Sequence, residues 1–217
     1  MDEIQKNIRH VADVIDIPAK FRAYMASLDI RPKVIYDIGG SVLHWHRNAR
    51  QLWPQADVFV FEANTDVESL YQERGVEHYH MGVLTDQDFR ELEFWKDPMN
   101  LGGNSYYREN TDAYEHCVPT HMVGFTLDTV VRRNRWPMPD LIKIDVQGAE
   151  LDILRGASDC LRVAQNLLIE CQFTDYNQGA PKVWETLEYL EGQGFELVAE
   201  ISRTHVDGDY HLRRADK

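Results

Sequence analysis

The sequence has few cysteines and no long apolar run, and these absences exclude several classes of protein. Its three cysteines form no CxxC pair, which argues against a structural zinc site and a disulfide framework. We therefore predict buried free thiols in a reducing compartment. No apolar stretch reaches 18 residues, and the first ten residues, MDEIQKNIRH, lack an apolar core. We predict neither a membrane span nor a signal peptide, and hence a cytoplasmic location.

Positive charge is also scarce, because the net charge is -13 and the pI is near 5.1. Such a surface repels phosphate backbones, so nucleic acid is not an expected partner. The sequence contains neither a GK[ST] phosphate loop nor a GxGxxG turn, and its nine histidines include no HxxxH or HExxH pair. These gaps argue against nucleoside triphosphates, dinucleotides and a dedicated zinc centre. The length of 217 residues predicts one domain with its own core.

Helical and strand-like segments alternate along most of the chain. Residues 1–30 predict two short helices separated at Pro18, acting as a cap, and residues 31–217 predict a Rossmann-like core. The fold class is a doubly wound α/β domain with about seven mostly parallel strands and an antiparallel edge strand. The predicted strands are, in chain order, 34–38, 58–61, 77–84, 92–95, 122–125, a strand that starts at Leu141, 166–171, 195–201 and 209–212. Predicted helices are 42–53, 66–74, 127–135, 150–161 and 183–190, and 101–107 (LGGNSYY) is predicted as a glycine-rich loop.

Acidic residues follow three of the apolar strands. Asp37 precedes two glycines, Glu62 ends the next strand, and Asp145 ends the strand that begins at Leu141. Ligands of open α/β sheets bind beyond the carboxyl ends of the strands, and an acid after the second strand is the usual partner of ribose hydroxyls. Glycine lets the backbone approach a ligand closely. Since Asp37 would repel a pyrophosphate and attract an ammonium, we predict an adenosine ligand without phosphates, S-adenosylmethionine.

Several motifs resemble the FkbM-type family of class I S-adenosylmethionine-dependent methyltransferases. The central one is IKIDVQGAELDILRGA at 142–157, accompanied by VIYDIGGS, VFVFEAN, GFTLD and LLIECQF in the family order. LGGNSYY, YNQGAPKV and DGDYH look like a subgroup of that family, and the resemblance covers about 33–213. It implies a class I fold and O-methylation of a hydroxyl, often on a sugar or glycan.

The resemblance also assigns residues to the cofactor. The methionine end would be bound by Asp37, Gly39, Gly40, Ser41 and Ser105, the ribose by Glu62 with Ala63 and Asn64, and the adenine by Val83 and Leu84. Core packing remains an equal alternative for the last two. The sequence departs from the family pattern at two positions, where Leu43 replaces a glycine and Gln147 replaces a glutamate. Gln147 weakens the case for a metal held by paired carboxylates, so a divalent metal is possible but not favoured. Asp145 would be the ligand of such a metal.

Catalysis and acceptor binding are assigned by position and chemistry. Asp145 is the first candidate for the general base, although it would equally hold the cofactor's ammonium or a divalent ion. His44 is a reserve base, and Glu170 ends the next strand and faces the same crevice. Amides, carboxylates and aromatic rings suit sugar hydroxyls and ring faces. The candidate substrate-binding residues are Trp45, Tyr106, Tyr107, Gln147, Gln172, Tyr176, Asn177 and His211 (also a reserve base), each with a structural role as the alternative.

The sequence therefore predicts an S-adenosylmethionine-dependent O-methyltransferase that acts on a sugar or glycan hydroxyl. One alternative keeps this chemistry and changes the acceptor to a small natural-product or lipid hydroxyl. Another, from a different class, is a cofactor-binding scaffold without turnover. A homodimer is left open as the assembly.

Overall fold

The computed structural model describes residues 2–97, 100–115 and 117–215. Its helices and strands, labelled in chain order, are α1 (Glu3–Val14), α2 (Ala19–Ser27), β1 (Val34–Ile38), α3 (His44–Leu52), β2 (Asp57–Glu62), α4 (Glu68–Glu73), β3 (Tyr79–Met81), β4 (Arg90–Asp97), β5 (Asn100–Ser105), β6 (Thr120–Gly124), α5 (Leu127–Asn134), β7 (Leu141–Ile144), α6 (Glu150–Arg155), α7 (Ser158–Val163), β8 (Asn166–Gln172), α8 (Val183–Gly192), β9 (Phe195–Arg203) and β10 (Asp207–Arg214). Short 3-10 turns occur at Thr65–Val67 and Asp112–Tyr114.

Seven strands form the main sheet, in the order β3, β2, β1, β7, β8, β10, β9. The pairs from β3 to β8 are parallel. Strand β10 runs antiparallel to both of its neighbours, β8 and β9. This arrangement confirms the predicted doubly wound, Rossmann-like fold with antiparallel pairing at one edge.

The central strands are buried on both faces, which explains their continuous apolar sequences. In β1, Ile35 packs into one hydrophobic core, whereas Tyr36 and Ile38 pack into the other. Side chains alternate between the faces of a strand, so two apolar cores require apolar residues at successive positions. All four residues of β7 are buried, although one of them is Lys143.

The two N-terminal helices cap one face of the main sheet. Ile8 of α1 and Phe21 and Met25 of α2 are buried in the same core as Ile35. The predicted separation of the helices is confirmed, and Pro18 is the residue that precedes α2, where its missing N–H costs nothing. Among the described residues, no helix is both long and apolar enough to cross a bilayer.

A second, three-stranded antiparallel sheet in the order β5, β4, β6 lies outside the main one. The prediction of a loop at LGGNSYY was wrong for residues 101–105, because they belong to β5, which pairs with β4. Pairing with a neighbouring strand outweighs the low strand propensity of glycine. Gly103 is also closely packed, since a Cβ there would lie 2.6 Å from Glu109 Oε2.

Two predicted elements are shorter or divided in the structure. The predicted strand at 77–84 is regular only at Tyr79–Met81. The predicted helix at 150–161 is divided into α6 and α7 at Gly156. A Cβ on Gly156 would lie 2.3 Å from the carbonyl oxygen of Thr85. The chain therefore bends where the backbone approaches a neighbouring segment.

Candidate active site

A cavity of about 370 Å³ lies at the carboxyl ends of β1, β2 and β7. Most of the predicted site residues line it, and they come from both halves of the chain. These residues are Gly39, Ser41, His44, Glu62, Ala63, Val83, Leu84, Ser105, Tyr106, Asp145, Gln147 and Glu170. The second sheet contributes another wall, through Phe94 of β4 and Leu101 of β5.

The two glycines after β1 are required by close packing. Gly39 has φ +82°, and a Cβ there would lie 1.8 Å from the carbonyl oxygen of Asp145. A Cβ on Gly40 would lie 2.2 Å from Val60 Cγ1. Gly39 lines the cavity, whereas Gly40 faces the core and does not. The turn thus brings the ends of β1 and β7 together at the cavity wall.

Leu43 occupies a left-handed conformation with φ +67°, at the position where the family pattern has glycine. A non-glycine residue there costs roughly 1–2 kcal/mol. The side chain is only 5% exposed and packs into the core shared with the cap helices. Burial of a leucine side chain is worth about 1.5–3 kcal/mol, which offsets the strain. The departure from the family glycine is therefore compatible with the same turn.

Glu62 is a rigid hydrogen-bond acceptor in the cavity wall. Its Oε2 accepts from the backbone N–H of Ser41 at 2.7 Å, and its Oε1 accepts from that of Asn64 at 2.7 Å. Burial raises the pKa of Glu62, although these N–H groups oppose the shift. Each carboxylate oxygen keeps a further lone pair. The side chain is thus fixed in an orientation that suits the two hydroxyls of a ribose.

The wall next to Glu62 is apolar. Phe61, Ala63, Val83, Leu84 and Phe94 all line it. Val83 and Leu84 are 2% and 5% exposed, and Leu84 also belongs to the main core. Their positions are therefore compatible both with core packing and with contact with an adenine ring. An apolar slot beside a fixed carboxylate suits an adenine ring and the hydroxyls of its ribose.

Asp37 lies behind the cavity wall, paired with Lys143. It is fully buried and does not line the cavity, contrary to its assignment to the methionine end. Lys143 Nζ lies 3.6 Å from Asp37 Oδ1 and 3.3 Å from Asp145 Oδ2, and it donates to the carbonyl oxygen of Gly39 at 3.3 Å. Burial would lower the pKa of Lys143, but Asp145 and Asp37 outweigh it and raise the pKa. The lysine thus joins the turn after β1 to β7.

Three polar side chains form a row on the opposite side of β1 from Glu62. Gln147 Nε2 lies 3.5 Å from Asp145 Oδ1 and 3.0 Å from Glu170 Oε1. Burial opposes ionisation of Asp145, but the charge of Lys143 prevails and lowers its pKa. Burial and then the charge of Asp145 hold the pKa of Glu170 well above its ordinary value. The row therefore combines an ionised carboxylate with a carboxyl that favours its neutral form.

His44 begins α3 and faces the same part of the cavity. Burial lowers its pKa, and the charge of Lys143 acts in the same direction. Its Nδ1 is buried without a hydrogen-bond partner among the described residues. The imidazole is therefore neutral near neutral pH, and it retains a ring nitrogen that is able to accept a proton.

Glu150, three residues after Gln147, supports the loop that follows β7. Its Oε1 accepts from the backbone N–H groups of Val146 at 3.2 Å and Gly148 at 3.1 Å. Burial raises its pKa to about 7. Gln147 has φ +58° and Gly148 has φ +96°, so this strained loop depends on the two hydrogen bonds. Glu150 thus keeps Asp145 and Gln147 in place.

Several predicted substrate-binding residues do not reach this cavity. Asn177 donates to the carbonyl oxygen of Tyr107 at 2.8 Å, and its backbone N–H donates to Gln172 Oε1 at 2.9 Å. The Tyr107 hydroxyl donates to Asp152, and the carbonyl oxygen of Tyr176 accepts from the N–H of Asn110. These contacts hold loops together, which is a structural role.

His211, Asn64 and Trp45 are also placed outside this cavity. Tyr24 O–H donates to His211 Nδ1 at 2.8 Å, since His211 Nε2 faces the acceptor Asn166 Oδ1 at 3.0 Å. This chain of bonds joins the cap to β8 and β10, so His211 is not a base here. Asn64 Oδ1 accepts from Asp66 N–H and begins a 3-10 turn. Trp45 is 1% exposed and lines a different cavity.

The sequence did not predict that Lys143, the cap and the second sheet contribute to this site. Lys143 had a signal, because a lone lysine in a buried strand needs carboxylate partners. Val11 and Ile15, from α1 and the residue after it, line the cavity without any such signal. Among the described residues, no group of three or more histidine, cysteine, aspartate or glutamate side chains is arranged to hold a metal.

Comparisons with solved structures show the fold. An FkbM methyltransferase from Methylobacillus flagellatus KT is similar with a TM-score of 0.55 and 13% identity, over 98% of this chain and 55% of that one. An O-methyltransferase family protein from Burkholderia thailandensis is similar with a TM-score of 0.51 and 8% identity, over 98% of this chain and 58% of that one. The chain thus spans little more than half the length of either protein. No curated protein sequence matches it.

The family is shown by a sequence model. The model for the FkbM methyltransferase domain matches residues 37–197, most of the chain. This match confirms S-adenosylmethionine as the expected cofactor, and the carboxylate of Glu62, the apolar slot and the close turn at Gly39 are compatible with it. The match also confirms the resemblance that the sequence motifs indicated. The chain belongs to the FkbM family of S-adenosylmethionine-dependent methyltransferases.

Proposed function

We propose that the chain methylates a hydroxyl group of a sugar or glycan. The observation that carries this proposal is the meeting of His44, Asp145 and Glu170 in the wall of the cofactor cavity. When bound, S-adenosylmethionine supplies a methyl group on a positively charged sulfur, which leaves as a neutral thioether. The protein must then align the hydroxyl oxygen with the methyl carbon and remove the hydroxyl proton.

The protonation states favour His44 as the general base. Asp145 is paired with Lys143, which lowers its pKa and makes it a weak base. Glu170 favours its protonated form, because burial and the charge of Asp145 raise its pKa. His44 is neutral, and the charge of Asp145 stabilises the imidazolium that forms when it accepts a proton. His44 therefore takes the proton while the hydroxyl oxygen forms its bond to carbon.

The same row of side chains favours a hydroxyl acceptor. Gln147 and Glu170 offer both donors and acceptors, which suit the paired hydroxyls of a sugar. Asp145 repels carboxylates and phosphates, and the buried Lys143 nearby is already paired with two aspartates. The proposal treats the cap and the core, residues 1–217, as one methyltransferase domain. Val11 and Ile15 of the cap region support this, because they line the cofactor cavity.

Transfer of a labelled methyl group tests the proposal. The purified chain is incubated with methyl-labelled S-adenosylmethionine and a panel of methyl glycosides, a phenol and a long-chain alcohol. We expect label in at least one methyl glycoside, in an ether that resists alkaline hydrolysis. Label only in the phenol or the alcohol would support the other acceptor classes. Tight binding of S-adenosylhomocysteine without labelled product would support a non-catalytic scaffold.

A further inference from the structure

A second cavity of about 220 Å³ lies beneath the cap, against the ends of β7, β8 and β10. It shares part of its lining with the cofactor cavity. The shared residues are Ile15, His44, Asp145 and Glu170. The two cavities therefore adjoin at the group of side chains to which we assign proton removal.

The walls of the second cavity combine an apolar surface with carboxyl groups. The apolar residues are Ile15, Ile17, Pro18, Phe21, Ile144, Leu168 and Ile169. The carboxyl groups belong to Asp16, Asp145, Glu170 and Asp209, and Lys143 is the one basic side chain besides His44. Lys143 is paired with Asp37 and Asp145. The described residues that line the cavity thus offer no free positive charge to an anion.

Two residues that line this cavity, Trp45 and His44, each carry a buried nitrogen without a partner among the described residues. Trp45 is 1% exposed, and its Nε1–H makes no hydrogen bond to any described residue. The same is true of His44 Nδ1. A buried polar group without a partner costs about 1–3 kcal/mol. Both nitrogens are enclosed by protein atoms, so small shifts of the Trp45 and His44 side chains toward an occupant are needed. An oxygen acceptor near Trp45 and a hydroxyl near His44 would then satisfy both nitrogens.

We propose that the second cavity binds the methyl acceptor as one small uncharged polyol unit, such as a single sugar ring. Trp45 Nε1–H donates to an oxygen of this unit, and the reacting hydroxyl lies between His44 and Glu170. Cavities for drug-sized ligands have volumes of about 300–1,000 Å³, so the smaller cavity suits one ring rather than an extended chain. The inference rests on the proposed function and adds the location, size and charge of the acceptor.

Substitution of Trp45 tests the hydrogen bond. Trp45→Phe keeps an aromatic ring and removes the N–H. With the best methyl glycoside of the panel, we expect KM to rise about tenfold, with kcat and the affinity for S-adenosylhomocysteine changed less than about twofold. Trp53→Phe is the matched control. Trp53 directly follows α3, the helix that contains Trp45; it is buried and lines neither cavity. An unchanged KM in Trp45→Phe would overturn the role of Trp45.

Filling the cavity tests its location. Ile17 lines only the second cavity, and Ile17→Trp should abolish transfer to every acceptor while S-adenosylhomocysteine still binds. Normal transfer in Ile17→Trp would overturn the location. If only the phenol or the alcohol is methylated, the sugar proposal fails, yet loss of that activity in Ile17→Trp would still support the location. No transfer by the wild type to any acceptor would overturn both proposals.

A charged analogue tests the electrostatic part. Methyl glucoside and methyl glucuronide differ in one carboxylate, and both are offered to the wild type. We expect kcat/KM at least about 100-fold lower for the glucuronide. Equal use of the two sugars would contradict an acceptor site that selects uncharged molecules.

Discussion

Glu62 is the residue whose surroundings most clearly anticipate a ligand. Two backbone N–H groups orient its carboxylate, and its position at the end of β2 places it beside an apolar slot. Its position at a strand end was enough to predict that it lines the crevice, because ligands of doubly wound sheets bind beyond the carboxyl ends of the strands.

Replacement of Glu62 should weaken cofactor binding. Glu62→Gln places an amide N–H₂ against one of two backbone N–H groups and removes the charge. Hydrogen bonds to charged groups contribute about 1.5–3 kcal/mol, so we expect affinity for S-adenosylhomocysteine to fall by about 10- to 100-fold in titration calorimetry. Glu77→Gln, at an exposed position outside the cavity, should bind normally. Equal affinities of the two variants would remove Glu62 from the ribose site.

Asp37 shows what position alone cannot predict. It lies two residues before Gly39, yet it faces Lys143 rather than the cavity. The parallel register pairs Asp37 directly with Lys143 across β1 and β7, so their side chains share one face. Register depends on the packing of the whole sheet, and the local sequence of either strand does not contain it.

At the scale of elements, β5 is the strand of the second sheet that the sequence did not predict, whereas β4 and β6 overlap the predicted strands at 92–95 and 122–125. Strand β5 contains two adjacent glycines, and its pairing with β4 gives it a regular structure. Asp152 of α6 joins this sheet to the core, accepting from Arg90 at 3.0 Å, from the Tyr107 hydroxyl at 2.9 Å and from the Tyr106 hydroxyl at 3.3 Å. The side chain of Asp152 is 6% exposed.

Neutralising Asp152 should loosen the second sheet. In Asp152→Asn we expect a loss of about 1–3 kcal/mol in the free energy of unfolding, with faster hydrogen exchange concentrated in β4 and β5. Cofactor affinity should also fall, since both strands line the cavity. Asp159→Asn is the control, because its pair with Arg162 is exposed and contributes about 0–1 kcal/mol. Unchanged exchange in β4 and β5 would contradict the role of Asp152.

At the scale of the whole molecule, the alternation of strands and helices was sufficient to predict the main sheet. The apolar strands at 34–38 and 166–171 are buried on both faces, and this requirement is written into the local sequence. The sequence placed Glu62, Asp145 and Glu170 at strand ends, and all three line the larger cavity. The cavity beneath the cap was not predicted, because it depends on how α1 and α2 pack over β7 and β8.

The roles of the three acid–base candidates can be separated only through their mutual electrostatics. The sequence placed Asp145 first by position. In the structure Lys143 lowers the pKa of Asp145, and burial raises that of Glu170. His44 remains as the neutral group at the junction of the two cavities. We therefore propose that His44 is the group that removes the proton of an acceptor hydroxyl.

The most direct test is methyl transfer by His44→Gln, with His46→Gln as the control on the same helix and outside both cavities. We expect transfer to fall about 100-fold or more in His44→Gln, with binding of S-adenosylhomocysteine retained. Because the pKa of His44 is lowered, the wild-type rate should stay level from pH 8 to about pH 6.5 and decline only at lower pH. Undiminished transfer by His44→Gln, with the same pH profile as the wild type, would show that His44 is not the general base.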